Sequence, residues 1–322
     1  MVKSLDKQPK MIVGVDLGGT KIATGLLDAG GRMLARSQKA TAGLKSSEEV
    51  IQAIVDTITE VSGEHEIAGV GLASPGAVDT RRGIIRNGVN LPGWNGISLQ
   101  AELEKRLQVP AKLINDANAA AWGEYVYGAG RGAQSMVYVT LSTGIGSGLV
   151  LDGKLYLGTS SFAGELGHTV VDPNGALCGC GQRGCWETYA SGTAIARQAS
   201  EAAAAAAEGM TQMTVLAEAE GVPLSAKHVF QAAAMNDKLA QETLEQVIHY
   251  TGLGLMNIIH SFNPDCIVIG GGVSRAGAAF FEPLRGKTGE LVMEPYRGTY
   301  AIKPAELKDD VGIIGAAALF VE

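Results

Sequence analysis

The sequence predicts an α/β protein built by duplication, two similar halves facing a cleft. Residues 11 to 38, MIVGVDLGGTKIATGLLDAGGRMLARSQ, are three apolar or β-branched runs joined by two glycine turns, which is the pattern of hairpins and not of a helix. Residues 136 to 156, MVYVTLSTGIGSGLVLDGKLY, repeat that plan, and with Met11 set on Met136 the first glycine-rich turns fall at nearly the same offset. Two such units in one chain indicate an internal repeat. At 322 residues the chain is long enough for two domains, each with its own core.

The stretches between these units supply the helices and remaining strands. SSEEVIQAIVDTITEV (46 to 61) has apolar residues at 50, 51, 54, 55, 58 and 61, a helical period. Ser46 or Ser47 can cap it, with Glu48 and Glu49 favourably placed in its first turn. IAGVGLASPGAVD follows as a buried strand entering a Ser-Pro-Gly loop, and ISLQAELEKRLQ as an amphipathic helix ended by Pro110. AKLINDANAAAWGEYVYG is a short strand passing into a helix at Asn115-Asp116. From 193 onward the chain is helical, through the alanine run 202 to 207 and a strongly periodic segment over 238 to 262. CIVIGGGV is then a strand opening into a triple-glycine loop. The final VGIIGAAALFV is an apolar helix whose small residues suit close packing on the first sheet. The expected division is a smaller α/β domain of 1–116 with 307–322, and a larger one of 117–306.

Composition narrows the function classes. With 46% hydrophobic and 18% charged residues the chain has the make-up of a soluble globular protein. A net charge of -7 and a pI near 5.4 argue against broad nucleic-acid binding, which needs basic surface. The first ten residues lack the apolar core of a signal peptide, and no apolar run reaches the ~18 residues of a membrane span. Four cysteines and no export signal point to the cytoplasm, with no membrane partner. Cys266, inside the apolar run CIVIG, is expected in the core.

Four stretches carry chemistry. In the turn Gly18-Gly19-Thr20-Lys21 backbone N–H groups can face an anion without obstruction, and Asp16 at the end of the strand projects towards the same space. Thr143 to Gly146 repeats this turn in the second unit, and Gly270-Gly271-Gly272 allows another close approach. Each of these has an ordinary alternative as a tight structural turn. Asp116 has one too, since an aspartate at a strand-to-helix junction is commonly an N-cap.

The fourth stretch, GELGHTVVDPNGALCGCGQRGCWE from Gly164 to Glu187, gathers one histidine and three cysteines. His168, Cys178, Cys180 and Cys185 form the N/S₃ set of a tetrahedral structural zinc. Glycines at 175, 179, 181 and 184 let the backbone fold tightly enough to bring thiolates together. A disulfide is the weaker alternative, because Cys178 and Cys180 are one residue apart, and the spacing is not the C-x-x-C of a ribbon or redox pair. Glu165 and Glu187 flank the knot, so a metal there would fix two carboxylates distant in sequence.

DLGGTK (16 to 21), LSTGIGSG (141 to 148), GELGH (164 to 168), CGCGQRGCWE (178 to 187) and IGGGV (269 to 273) together resemble the ROK family of repressors, open reading frames and kinases, in order and with its spacing. Within it the chain is most similar to the bacterial glucokinases. The resemblance implies an actin-like, hexokinase-type (ribonuclease H-like) fold, with sugar and ATP in the cleft, Mg²⁺, the zinc set above and a homodimer. It implies that Asp116 is the general base moving the γ-phosphoryl of ATP to the 6-hydroxyl of glucose. Asn90 (in VNLPGW), Asn115, Asp116, Glu165, His168 and Glu187 would meet sugar hydroxyls, His168 using one ring nitrogen for zinc and the other for sugar. Asp16, Gly18, Gly19, Thr20, Lys21, Thr143, Gly144 and Gly146 would face phosphates, and Gly270, Gly271 and Gly272 the adenosine.

The resemblance leaves other acceptors open: fructose, mannose, N-acetylglucosamine and N-acetylmannosamine, and also a donor other than ATP. Sugar-responsive repressors of the family carry a helix-turn-helix before the first strand, and here only ten residues precede Met11. A sugar-binding protein without catalysis is the third class, against which the intact Asp116 and glycine turns argue.

Overall fold

The computed structural model describes residues 11–87, 96–206 and 211–321. Asn90 lies outside the described residues. In the first half β1 (Met11–Leu17), β2 (Lys21–Leu27) and β3 (Met33–Ala40) are followed by α1 (Ser47–Ser62), β4 (Ile67–Ser74), the hairpin β5 (Ala77–Asp79) and β6 (Ile84–Asn87), α2 (Leu99–Leu107), β7 (Ala111–Asn115) and α3 (Asp116–Tyr127). The second half begins with β8 (Met136–Leu141), β9 (Ile145–Leu151) and β10 (Lys154–Tyr156), then a 3₁₀ turn at Leu166–His168. Five helices follow: α4 (Glu187–Ala190), α5 (Gly192–Ala205), α6 (Gln212–Glu220), α7 (Ala226–Ala234) and α8 (Lys238–Phe262). The chain closes with β11 (Cys266–Gly270), α9 (Ala278–Leu291), β12 (Ala301–Pro304) and α10 (Val311–Ala318).

The two five-stranded sheets have one topology. Their orders are β3-β2-β1-β4-β7 and β10-β9-β8-β11-β12, antiparallel over the first three strands and parallel over the rest. The repeated strand–turn–strand units of the sequence are thus structural equivalents, and the fold is the duplicated actin-like, hexokinase-type one. Each sheet has its own core: Val13, Val15, Leu17, Ile54 and Leu72 in the first half, and Val137, Val139, Trp186, Leu255 and Phe280 in the second.

The helices start and stop for local reasons. The Ser46 hydroxyl accepts from the Glu49 amide, 3.3 Å, and caps α1. Val50, Ile51, Ile54, Ile58 and Val61 form its buried stripe, as the period predicts. α2 ends earlier than its proline suggests: Gln108 adopts a left-handed conformation (φ 56°) and terminates it two residues before Pro110. No helix among the described residues is long and apolar enough to cross a membrane.

The halves meet through α10 and α3. α10 lies on the first sheet, where a Cβ on Gly14 or Gly71 would run into the Ile313 or Ala316 carbonyl. α3 lies on the second sheet, where a Cβ at Gly148 would meet Ala121 Cβ at 2.6 Å. The two helices pack on each other so closely that a side chain at Gly315 would collide with the Ala119 carbonyl. Gly315→Ala should therefore destabilise the protein by about 1–3 kcal/mol, an overpacking cost that exceeds the helix-propensity gain. Gly289→Ala, in α9 with open space around its Cα, should be neutral or stabilising by up to ~1 kcal/mol. Urea unfolding of both variants checks the pair.

Candidate active site

The carboxyl edge of the first sheet collects the acidic residues. β1, β4 and β7 run parallel and end together, with Asp16 beside Ala73 and Ser74 beside Asn115. Open α/β sheets bind ligands at that edge. Asn115, and not Asp116, is the N-cap of α3: its Oδ1 accepts from the Ala117 amide, 2.9 Å, and the Asn118 amide, 3.3 Å. Asn115 Nδ2 donates to the Gly76 carbonyl, 3.3 Å, holding the Ser-Pro-Gly loop. Asp116 Oδ1 accepts from the Ala117 amide, 2.8 Å, while its Oδ2 takes no hydrogen bond among the described residues.

Burial pushes the Asp116 carboxyl up to about 6, opposed by the Ala117 amide and reinforced by the charges of Asp16 and Glu165. Asp16 is raised as well, by burial first, with Lys21 opposing. A cavity of about 440 Å³ opens here, lined by Gly76, Ala77, Asn115, Phe162 and Glu165.

Each glycine turn between hairpin strands presents amides. In the first, Gly18 N–H donates to the Lys21 carbonyl, 2.8 Å, and the Thr41 hydroxyl and amide tie down the Gly19 and Thr20 carbonyls at 2.8 and 3.0 Å. The Gly19 and Thr20 amides find no acceptor among the described residues. In the second, Ser142 N–H donates to the Gly144 carbonyl, 2.9 Å, and the Thr143 and Gly144 amides are likewise left over. Other predicted glycines serve packing: a Cβ at Gly146 would come within 3.1 Å of Ala117 Cβ, one at Gly270 would meet the Tyr138 hydroxyl, and one at Gly271 (φ 86°) the Leu141 backbone. Of the triplet, only Gly272 has open space beside its Cα.

The knot closes as its residue types require. The Cys178 amide donates to the Gln182 carbonyl, 2.8 Å, and the Gly184 amide to the Ala176 carbonyl, 2.9 Å. Gly181 (φ 92°) and Gly184 (φ 69°) occupy the left-handed region, and Gly184 lies on the Asp172 carbonyl where no side chain fits. One ligand atom each from His168, Cys178, Cys180 and Cys185 lies within 4.8 Å of the others. His168 Nδ1 is 3.6 Å from Cys178 Sγ, so Nε2 is the nitrogen left over. Cys180 and Cys185 are 3.6 Å apart and unbridged.

Glu187 faces a different place from Glu165. At the start of α4, its Oε2 accepts from the Ile145 amide, 2.8 Å, and lies on Gly144, where a Cβ would collide with it. It lines a second cavity of about 400 Å³ with Thr143, Gly144, Cys178, Ser191 and Arg197. Sequence reasoning missed Phe162, Gly76 and Arg197 at these cavities; for Phe162 the sequence offers only a lone aromatic two residues before GELGH. A larger cavity of about 1480 Å³ lies between α5, α8 and α9, reaches Ala176 of the knot and Arg197, and contains none of the predicted site residues.

The ROK family model matches residues 12–322. The chain belongs to the ROK family. It is 41% identical over 317 residues to a glucokinase of Thermotoga maritima, covering 98% of each chain. Among solved structures it is similar to the ROK family glucokinase from Streptomyces griseus in complex with glucose and AMPPNP, with TM-score 0.80 and 36% identity over 96% of this chain and 98% of that one. The ROK hexokinase from Thermus thermophilus gives TM-score 0.79 at 34% identity, covering 96% and 97%.

In this ROK protein the raised Asp116 has a thermodynamic consequence. A carboxyl whose folded pKa lies above its unfolded value contributes stability that is present below the unfolded value, near 3.8, and lost as pH rises through about 6. Asp116→Asn removes that loss. Its melting temperature should exceed the parent's at pH 8, with the difference shrinking between pH 6 and 4, as scanning calorimetry of both proteins would read.

Proposed function

We propose that this chain is an ATP-dependent glucokinase, forming glucose 6-phosphate and ADP. The observation that carries the reading is the sugar-sized cavity beside Asp116, whose free Oδ2 stands at the carboxyl edge of the first sheet. The 41% identity to a glucokinase, and the glucose and AMPPNP held by a structural relative, support glucose as acceptor and ATP as donor.

Glu165 and Asn115 border the sugar, with His168 Nε2 facing it from the knot. The 6-hydroxyl attacks the γ-phosphoryl in line, and its proton passes to Asp116 Oδ2. The new bond is O6–Pγ, and the bond broken is the one from Pγ to the leaving oxygen of ADP. With a carboxyl near 6, the basic form of Asp116 predominates at neutral pH, which suits a general base. Mg²⁺, when bound, neutralises charge on the phosphates, and Asp16 is the side chain available to it, an oxygen ligand of the kind the ion takes. The free amides of Gly19, Thr20, Thr143 and Gly144 receive phosphate oxygens, and Lys21 adds a positive charge. Such positioning and charge stabilisation carry most of phosphoryl transfer, because its transition state is loose. Gly272 is the glycine of its triplet open to the adenosine.

The donor set at the knot fits Zn²⁺. Zn–S bonds of about 2.3 Å in a tetrahedron put sulfurs about 3.8 Å apart, close to the 3.6 Å seen between Cys180 and Cys185. Burial pushes the Cys185 thiol up, a cost that a cation would reverse. The division into 1–116 with 307–322 and 117–306 is supported by the packing of α10 on the first sheet. A homodimer and a cytoplasmic location belong to the same reading and rest on the family resemblance and the composition.

Two experiments test it. A coupled ADP-release screen over hexoses should rank glucose first. In the same assay Asp116→Asn should lose about 10²–10⁴-fold in kcat while still binding glucose by calorimetry. The outcome against the reading is a variant keeping more than about a tenth of kcat, or faster turnover of N-acetylmannosamine than glucose by the parent. Metal analysis should give about one zinc per chain. Cys180→Ala should lose the metal and part of both thermal stability and glucose affinity, whereas fully active metal-free protein would remove zinc from the account.

A further inference from the structure

Phe162 is an exposed aromatic in a polar loop, which needs a reason. It lines the same cavity as Asn115 and Glu165 while 36% of its surface stays open. The loop that presents it is firmly built. Ser161, immediately before it, is buried in a left-handed conformation (φ 67°) that a non-glycine residue adopts rarely. The Ala163 amide donates to the Leu157 carbonyl, 3.1 Å, and the Gly164 carbonyl accepts from the Ser147 hydroxyl. The backbone on either side of Phe162 is therefore tied down, and its ring lines the cavity.

Its partner comes from the other half of the molecule. The Arg86 guanidinium, on β6, stands 5.6 Å from the centre of the Phe162 ring, within cation–π range. Arg86 is itself aimed: its Nη2 donates to Asp79 Oδ2, 2.7 Å, across the β5–β6 hairpin, and Asp79 is buried. Val78 and Ile85, paired in that hairpin and fully buried, fix it to the first half. The contact thus spans the mouth of the cavity from one half to the other.

We propose that Phe162 is a sugar-contacting residue and Arg86 the positioning residue that holds it. Among the described residues the ring is the one aromatic lining the cavity, beside Gly76, Ala77, the Asn115 amide and the Glu165 carboxylate. A pyranose has a matching C–H face, so the ring packs under the sugar while the polar residues take its hydroxyls. Arg86 keeps the ring in place and ties the two halves together over the bound sugar. The assignment rests on the sugar-kinase reading and sharpens it: the pair sets sugar affinity and leaves the nucleotide side alone.

Calorimetric titration of glucose tests this without requiring turnover. Phe162→Ala should weaken glucose binding about tenfold or more, the order expected for losing one aromatic contact surface. Arg86→Ala should weaken it about two- to fivefold, the range of an exposed cation–π contact. Arg86→Lys, which keeps a cation over the ring, should recover part of that loss. In Phe162→Leu, which keeps apolar bulk without a π face, Arg86→Ala should cost nothing further. AMPPNP affinity should stay within about twofold throughout, which also reports that the variants are folded. Unchanged glucose affinity in Phe162→Ala, or full Arg86→Ala losses on the Phe162→Leu background, would overturn the proposal. A parent that binds glucose but releases no ADP would instead remove the kinase reading and leave the Phe162 result standing.

Discussion

Most of the cleft depends on how closely α3 and α10 approach. A Cβ at Gly315 would strike the Ala119 carbonyl and one at Gly123 would lie 2.8 Å from Gly315 Cα, so the two helix backbones are nearer than any larger residue would allow. α10 presses on the first sheet through Gly14 and Gly71, and α3 on the second through Gly148. A stack of sheet, helix, helix and sheet results, with the chain crossing between halves at Asn115-Asp116 and again before α10. Asp116 stands at the head of α3. Its position is therefore set by the interface between halves, and any change in their angle moves the carboxylate relative to both glycine turns.

That placement explains why so many carboxyls share a small volume. Asp16 lies near the end of β1, Asp116 directly follows β7, the parallel strand one place beyond β4, and Glu165 comes from the second half; Asp16 and Glu165 each raise the energy of ionised Asp116. A fold selected for stability alone would not bring them together. Buried carboxylates facing an incoming anion also need a cation, and the Lys21 charge opposes the rise of Asp16. Metal and donor would arrive together as a magnesium–nucleotide complex, and that arrangement suits a site whose own charge is negative.

Much of this was legible because it is local. Apolar and β-branched runs between glycine turns identified β1 to β3 and β8 to β10, and a helical period sustained over 25 residues identified α8 to its last residue. What could not be read depends on contacts between distant segments. Asn115 and Asp116 are both good caps, and only the end of β7 decides that Asn115 does the capping. Gly146, Gly270, Gly271 and Gly272 look alike in sequence, yet the first three make room for protein and the fourth for solvent. The β5–β6 hairpin and Phe162 carry no periodic signal, so the wall they build was invisible. The segment from 193 to the start of α8 read as one helical region and holds three helices, α6 and α7 starting at the caps Thr211 and Ser225.

The Cys/His knot is the clearest case where sequence gave the residues and structure gave the connections. Trp186, fully buried, lies on Gly254 of α8, and Tyr189 stacks on Tyr250 at 3.9 Å between ring centres while its hydroxyl donates to Asp172. The knot is thereby fastened to the longest helix of the second half. Its other side reaches the cleft twice: through His168 and Glu165 on the 3₁₀ turn, and through Glu187, whose carboxylate holds the Ile145 amide of the β8–β9 turn. A structural ion at this point would stiffen the 3₁₀ turn and the β8–β9 turn together. The bond to Ile145 also occupies one oxygen of Glu187, so the carboxylate must leave the turn, or use its other oxygen, before it can meet a hydroxyl. Glu187 therefore stands between the β8–β9 turn and the second cavity, and an oxygen given to one is withheld from the other.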